Sequence, residues 1–180
     1  MDSLKGHLLL SSGGLFDASF RHTVVLVGAH DAQGAVGVIL NRAREVTVVQ
    51  AIPLLAALTG AREAVFEGGP VAPREAVLLV EATDPSILDV PVFDGVGFLT
   101  GDVPSEVRAA IRRARVYLGH AGWGPGQLDA EVEAGAWIVE PALVQDVFSE
   151  EPGALWRRLL ERKGPPFAAL AKIPFDPSTN

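Results

Sequence analysis

The stretch Gly119-His120-Ala121-Gly122-Trp123-Gly124-Pro125-Gly126-Gln127 is the most unusual segment of the chain. It reads as a loop between a strand and a helix, the place where unpaired N–H groups of a helix start can meet a phosphate. Gly119-x-x-x-x-Gly124 matches the first half of a P-loop, but Pro125 and Gly126 stand where Lys and Ser or Thr are required. Without that Lys no cation meets the β/γ-phosphates. Gly122-x-Gly124-x-Gly126 fails the dinucleotide fingerprint at its last interval. Neither standard mode of nucleotide binding is met, and a tight turn that lets the backbone pass close to Trp123 explains the glycines as well.

The other chemistry-bearing residues are sparse. The four histidines, His7, His22, His30 and His120, form no His-x-x-x-His pair, and no carboxylate stands at metal-ligand spacing from two of them. No metal site is expected. His30 ends an apolar run beside Asp31, where a hydrogen-bonded structural role competes with that of a general base. There is no Gly-x-Ser-x-Gly elbow, and Ser11-Ser12 before Gly13-Gly14 is equally well explained by turn chemistry. Asp129, Glu131 and Glu133 lie on an acidic segment in which only the outer two share a helix face, which suits a solvated surface. Asn41-Arg42 closes a strand: Arg can grip a carboxylate or phosphate bidentately and Asn both donates and accepts. The competing role is satisfaction of backbone groups at the sheet end.

Composition narrows the classes further. The chain has 180 residues, 15 Lys or Arg against 22 Asp or Glu, a net charge of −7 and a pI near 5.0. Apolar residues make up 48%, which suits a folded domain rather than a disordered chain. At this length one domain is expected, able to bury roughly 70% of its unfolded surface. There are no cysteines, which removes thiolate nucleophiles, disulfides, Fe–S clusters and cysteine zinc sites together and suits a reducing compartment. No apolar run approaches the roughly 20 residues of a membrane span, so a soluble cytoplasmic protein without a membrane partner is expected. The acidic balance speaks against nucleic acid as a partner. The one basic cluster, Arg108, Arg112, Arg113 and Arg115, reads as the solvated face of a helix or as a phosphate patch.

The elements that must position these residues are mixed. Strands are expected at 7–12, at Thr23–Ala29 and at Ala35–Leu40. The last two, joined across Asp31-Ala32-Gln33-Gly34, form an antiparallel hairpin that is apolar throughout and so covered on both faces. Thr47 with Gln50 resembles a capping box for a helix reaching Leu58, with Gly60 as its cap, although Pro53 interrupts it. Further strands are expected at Val65–Glu67, Ala76–Ala82, Val96–Thr100, Val116–Leu118 and Trp137–Val139. Helices are expected from Pro104 to about Arg113, around Leu128–Ala134, at Pro141–Phe148 and at Ala154–Lys163. Loops are expected at Leu15–Asp17 and 83–95, and residues 165–180 read as an extended tail behind a domain of residues 1–164. Without a strict β-α-β rhythm, a largely antiparallel sheet with helices around it follows.

Four ordered blocks carry a resemblance. They are Phe20-Arg21-His22-Thr23-Val24-Val25-Leu26 with His30 and Gly34-Ala35-x-Gly37-x-x-x-Asn41-Arg42; Gly68-Gly69-Pro70-Val71; Gly119-His120-Ala121-Gly122-Trp123-x-x-Gly126-Gln127-Leu128-Asp129-x-Glu131; and Trp137. Together, over roughly Gly6 to Gly164, the chain resembles the YqgE/AlgH family. It departs from that pattern at Ala29, where the family usually has an acid before the His, at Ala43 in place of Pro, at His120 in place of Tyr, and at Asp129 where Glu is commoner. The resemblance implies an α+β fold, a compact single domain with a bulged, mainly antiparallel sheet and surrounding helices. It implies no activity and no cofactor. The transcriptional-regulator label carried by some members finds no helix-turn-helix or basic stripe here.

The function expected from these readings is a non-catalytic binding or regulatory domain for a small molecule or a protein partner. Its cleft would be built from His30, Asn41, Arg42, Gly69, His120, Trp123 and Gln127. A hydrolase of an anionic small molecule is the alternative, with Arg42 on the anion and His30 or His120 as acid or base. Both require residues distant in sequence to converge.

Overall fold

The computed structural model describes residues 2–13 and 20–172. Its strands are β1 (His7–Ser11), β2 (Val24–Asp31), β3 (Gly34–Ile39), β4 (Ala43–Thr47), β5 (Ala64–Glu67), β6 (Val71–Ala82), β7 (Val90–Phe93), β8 (Val96–Leu99), β9 (Ile111–Trp123) and β10 (Trp137–Pro141). Its α-helices are α1 (Val48–Ala51), α2 (Ala56–Thr59), α3 (Ser105–Arg108), α4 (Gln127–Glu133), α5 (Val144–Val147), α6 (Leu155–Lys163) and α7 (Phe167–Leu170). The strands pair in the order β10-β1-β2-β3-β9-β6-β8-β7, and β5 joins β4 to β9. Only the β5–β9 pairing is parallel among these. Register shifts mark β2 between Val27 and Ala29 and β6 between Val71 and Ala76. The fold is the α+β, bulged and mainly antiparallel one expected.

The apolar runs of β1 and β2 are continuous because both faces of these strands are covered. Leu8, Leu10, Val24 and Leu26 point into a core closed by Val147, Phe148, Trp156, Leu159 and Leu160. The alternate residues Leu9, Val25 and Val27 point into a second core with Trp123, Leu128 and Trp137. A period of two along the chain thus serves two layers. A third cluster, with Val48, Val65, Leu78, Val80, Leu99 and Val116, lies under α1 and α2. Each such side chain contributes about 1.5–3 kcal/mol on burial.

β9 is the organising strand. Its residues 116–118 pair with β5, its residues 111–120 pair with β6, and its last residues 121–123 pair with β3. Two chain segments cross where this switch occurs. A Cβ added to Gly69 (φ +152°) would lie 2.2 Å from the carbonyl carbon and oxygen of His120, and one on Gly119 (φ +77°) would lie 2.4 Å from the Gly69 carbonyl oxygen. Glycine is required at both positions, by the backbone angle and by the close approach together.

Several local readings change. The helix expected from Pro104 to Arg113 stops at Arg108, and the chain is already extended at Ile111. The pull is tertiary: residues 111–120 gain a long, twice-shifted ladder with β6. The Gly119–Trp123 segment is strand, not loop, so the first five residues expected in a phosphate-loop position belong to a sheet. The arginine cluster is no helix face: Arg112 and Arg113 pair with Glu81. Arg115 is buried, donates to the Val147 and Ser149 carbonyls and lies 5.0 Å over the Phe66 ring. Residues 83–95 include β7, which turns into β8 at Asp94-Gly95, both at positive φ, as a primed hairpin turn demands. β4 was not anticipated. The Thr47–Gln50 capping box is present, but Pro53 divides the following segment into α1, a 3-10 turn at Pro53–Leu55, and α2. The helix expected over Pro141–Phe148 is confined to Val144–Val147. The tail is not extended throughout: α7 folds back against α6, and Ala171 is buried. The expected loop at Leu15–Asp17 lies outside the described residues.

Gly69→Ala is expected to lower the unfolding free energy by at least about 2 kcal/mol, through overpacking against a backbone that cannot move aside. Gly124→Ala, which meets only the end of the Gln127 side chain, is expected to stay within about 0.5 kcal/mol of the parent. Urea-unfolding midpoints of the two variants check this.

Candidate functional site

The β2–β3 hairpin separates the expected cleft residues into two groups. His30 stands opposite Ala35, next to the turn, whereas Asn41 reaches back to Val24 at the open end. The six residue steps from Val24 to His30 span roughly 20 Å. His30 and Trp123 therefore do not share a pocket with Asn41 and Arg42, and the expected convergence does not occur.

At the turn end the polar groups serve one another. Nδ1 of His30 accepts the Leu4 N–H at 2.9 Å, which leaves the ring proton on Nε2, 3.2 Å from Oδ1 of Asp129. Both ring nitrogens face protein groups, so the acid–base role considered for His30 has no nitrogen left to meet a substrate. Glu131 Oε1 accepts the indole N–H of Trp123 at 3.1 Å and of Trp137 at 2.9 Å, while its Oε2 accepts from Gln127 Nε2 at 3.0 Å. Gln127 Oε1 in turn accepts the Gly124 N–H. Trp123 and Gln127 are thereby structural: they tie the end of β9 to α4. His120 lies half-buried opposite Val71 in the β9–β6 ladder, and Gly69 is the backbone crossing already described.

The open end differs. Asn41 Nδ2 donates to the His22 carbonyl at 2.7 Å and Oδ1 accepts the Val24 N–H at 3.0 Å. It thus fixes the chain entering β2. Arg42 Nη2 donates to the Arg21 carbonyl at 3.2 Å. On the facing side, Trp156 of α6 is anchored by its indole N–H on the Ser11 carbonyl, and the His22 ring lies flat on it, 3.9 Å away and tilted by 10°. Between these walls is a recess of about 590 Å³ lined by Arg21, His22, Asn41, Arg42, Gly153, Trp156, Arg157, Glu161, Ala171 and Lys172. Among the described residues, four that carry a cationic side chain and one that carries a carboxylate line it. The size is that of a small-molecule pocket.

Burial, and then the charges of Arg157 and Arg21, push the His22 imidazole below its ordinary pKa. Reading the sequence found Asn41 and Arg42 but missed Arg21, His22, Trp156, Arg157, Glu161 and Lys172. Arg157 and Glu161 occupy i and i+4 on the polar face of α6, a pattern visible in sequence but indistinguishable there from an ordinary solvated pair. Among the described residues, no three His, Asp or Glu side chains gather as metal ligands would, and no helix is long and apolar enough to cross a membrane.

This fold and these blocks have known counterparts. The AlgH-like family profile matches residues 8–168. A UPF0301 protein of Streptomyces avermitilis is 38% identical over all of this chain and 97% of its own length, and one of Mycolicibacterium smegmatis is 37% identical over 97% of this chain and 90% of its own. The crystal structure of protein DIP2367 from Corynebacterium diphtheriae superposes with a TM-score of 0.85 at 25% identity, covering 96% of this chain and 93% of that one. The solution structure of the AlgH protein from Pseudomonas aeruginosa, also UPF0301, gives a TM-score of 0.69 at 27% identity, covering 94% of each chain. The chain belongs to the AlgH-like, UPF0301 family.

Removing the shared acceptor at the turn end leaves two buried indole N–H groups unpaired. Glu131→Ala is expected to cost about 2–4 kcal/mol. Glu131→Gln, which keeps an oxygen acceptor, is expected to cost less than half of that. Chemical unfolding followed by near-ultraviolet circular dichroism distinguishes the two.

Proposed function

We propose that the chain is a cytoplasmic, non-catalytic binding domain that holds a small anionic ligand in the recess between residues 21–22, the Asn41-Arg42 corner and α6. One observation carries this reading: Arg21, Arg42, Arg157 and Lys172 come from separate parts of a chain of net charge −7, yet line a single recess, with Glu161 the one carboxylate among its described lining residues. Like charges gathered in one place repel one another, and an anion relieves the repulsion. Guanidinium groups suit carboxylate and phosphate oxygens in particular. The absence of cysteine suits a reducing compartment.

The same geometry favours binding over turnover. The hydrolase alternative needs His30 or His120 beside Arg42, whereas His30 lies a hairpin's length away and both its ring nitrogens face protein groups. The regulatory role is then that of a sensor whose ligand bridges the end of β3 and α6.

Thermal unfolding in the presence of acetate, orthophosphate, citrate and pyrophosphate, with glycerol as a neutral control, tests the reading. Multivalent anions are expected to raise the melting temperature, and glycerol is not. Arg42→Ala and Arg157→Ala are each expected to weaken binding about tenfold, the loss of one charge-assisted contact. Stabilisation that persists unchanged in both variants overturns the assignment.

A further inference from the structure

We propose that the segment from Val46 to Leu58 is a contact face for a second copy of this chain. The sixteen residues from Val46 to Ala61 include no charged side chain. Those pointing inward, Val48, Ile52, Leu55, Ala56 and Leu58, pack on the third core cluster. Those pointing outward are apolar too: Val46, Val49, Ala51, Pro53 and Ala57 are exposed, and Leu54 is 86% exposed. The polar side chains do little to compensate. Thr47 and Gln50 are turned onto each other's backbone N–H groups in the capping box, and Thr59 donates to the Gly60 carbonyl. A helical segment that is apolar on all sides is ordinarily one that is covered on all sides, and an exposed apolar patch of this kind marks a contact surface.

The rim identifies the occupant. Arg44 and Glu45 precede the segment, Arg62 and Glu63 follow it, and the bond from the Val48 N–H to the Glu63 carbonyl draws the two ends together. The rim thus carries two charges of each sign, and among the described residues none of these four forms an ion pair. A partner with one sign of charge would leave half of this set unmet. The same set turned about a two-fold axis offers each sign its opposite, which is the self-complementarity of an isologous contact. The long-range field agrees: two copies that each carry −7 repel, and approach costs least where the local charge sums to zero. An anionic bilayer draws in surfaces flanked by surplus Lys and Arg, which a balanced rim does not provide. β4 adds a backbone component. It pairs with β5 alone among the described strands, and Ala43 to Val46 are exposed along it, so an open strand edge runs into the apolar patch. The face is small, with thirteen residues in the segment against roughly 20–30 a side in a standard interface, so the dimer is a weak one. No residue of the segment lines the recess described above, and the two readings stand apart.

Sedimentation velocity of the full chain between about 5 and 500 µM tests the proposal, the range in which a small interface assembles. The parent is expected to pass from monomer to dimer across it. Leu54→Asp and Leu54→Lys are each expected to weaken self-association at least about tenfold, because either charge is brought into the apolar contact of both copies. At 86% exposure neither change reaches the core. Leu143→Asp is the control: Leu143 is also exposed and caps α5, where Asp is a favoured residue, and this variant is expected to dimerise as the parent does. Amide hydrogen exchange at the two ends of the concentration range locates the contact, with slower exchange expected over residues 44–58 at the higher concentration. A parent that stays monomeric throughout overturns the proposal. So does a dimer that both Leu54 variants leave unchanged, or one that Leu143→Asp weakens equally. A monomeric parent that binds vesicles of phosphatidylcholine and phosphatidylglycerol, and loses that binding in Leu54→Asp, overturns the second copy in favour of a membrane surface.

Discussion

Where residues 68–69 cross residues 119–120, two backbones pass closer than any side chain would allow. That crossing lets β9 leave β5 and take up β3 as its partner, so a single strand stitches together what would otherwise be two sheets. The bond from Ile39 N–H to the Gly68 carbonyl, and that from Glu67 N–H to the Arg42 carbonyl, sit at the same junction. The corner that carries Asn41 and Arg42 is therefore set by a sterically tight, side-chain-free contact. A recess built on such a corner inherits its rigidity, and rigid walls lower the ordering cost of any binding.

Much of the architecture was legible because it is local. The β2–β3 hairpin, the Thr47 capping box, α4, β10 and α6 each announce themselves within a dozen residues, and the ordered blocks led to the family that the profile and the relatives bear out. β9 was not legible in full. Its arginines and glycines read as helix surface and loop, since nothing local reveals that Arg115 will lie buried between Phe66 and the 147–149 carbonyls, or that Gly119 marks a bulge. β4 and β7 are short, and their pairing depends on neighbours that sequence does not name.

The site was half legible for the same reason. Asn41 and Arg42 stand at a strand end, where functional polar groups collect. Which end of the hairpin a residue occupies, however, depends on register, and a block containing both His30 and Asn41 conceals that they face opposite ways along the sheet. Their partners, Arg21, His22, Arg157 and Lys172, converge only after α6 and α7 fold back over β1 and β2. The two ends also differ in kind. Around Glu131 both carboxylate oxygens are taken by protein donors, the two indoles and Gln127. Around Arg42 and Arg157 the charged residues line an open recess.

The chain's three tryptophans are divided between those ends. Trp123 and Trp137 meet edge to face, 6.1 Å apart, over a common carboxylate, while Trp156 lies alone beneath the imidazole of His22. An imidazolium in van der Waals contact quenches indole emission far more than a neutral ring does. The molecule thus carries its own optical readout: two indoles whose light reports the integrity of the turn end, and one whose brightness follows the charge on the ring above it.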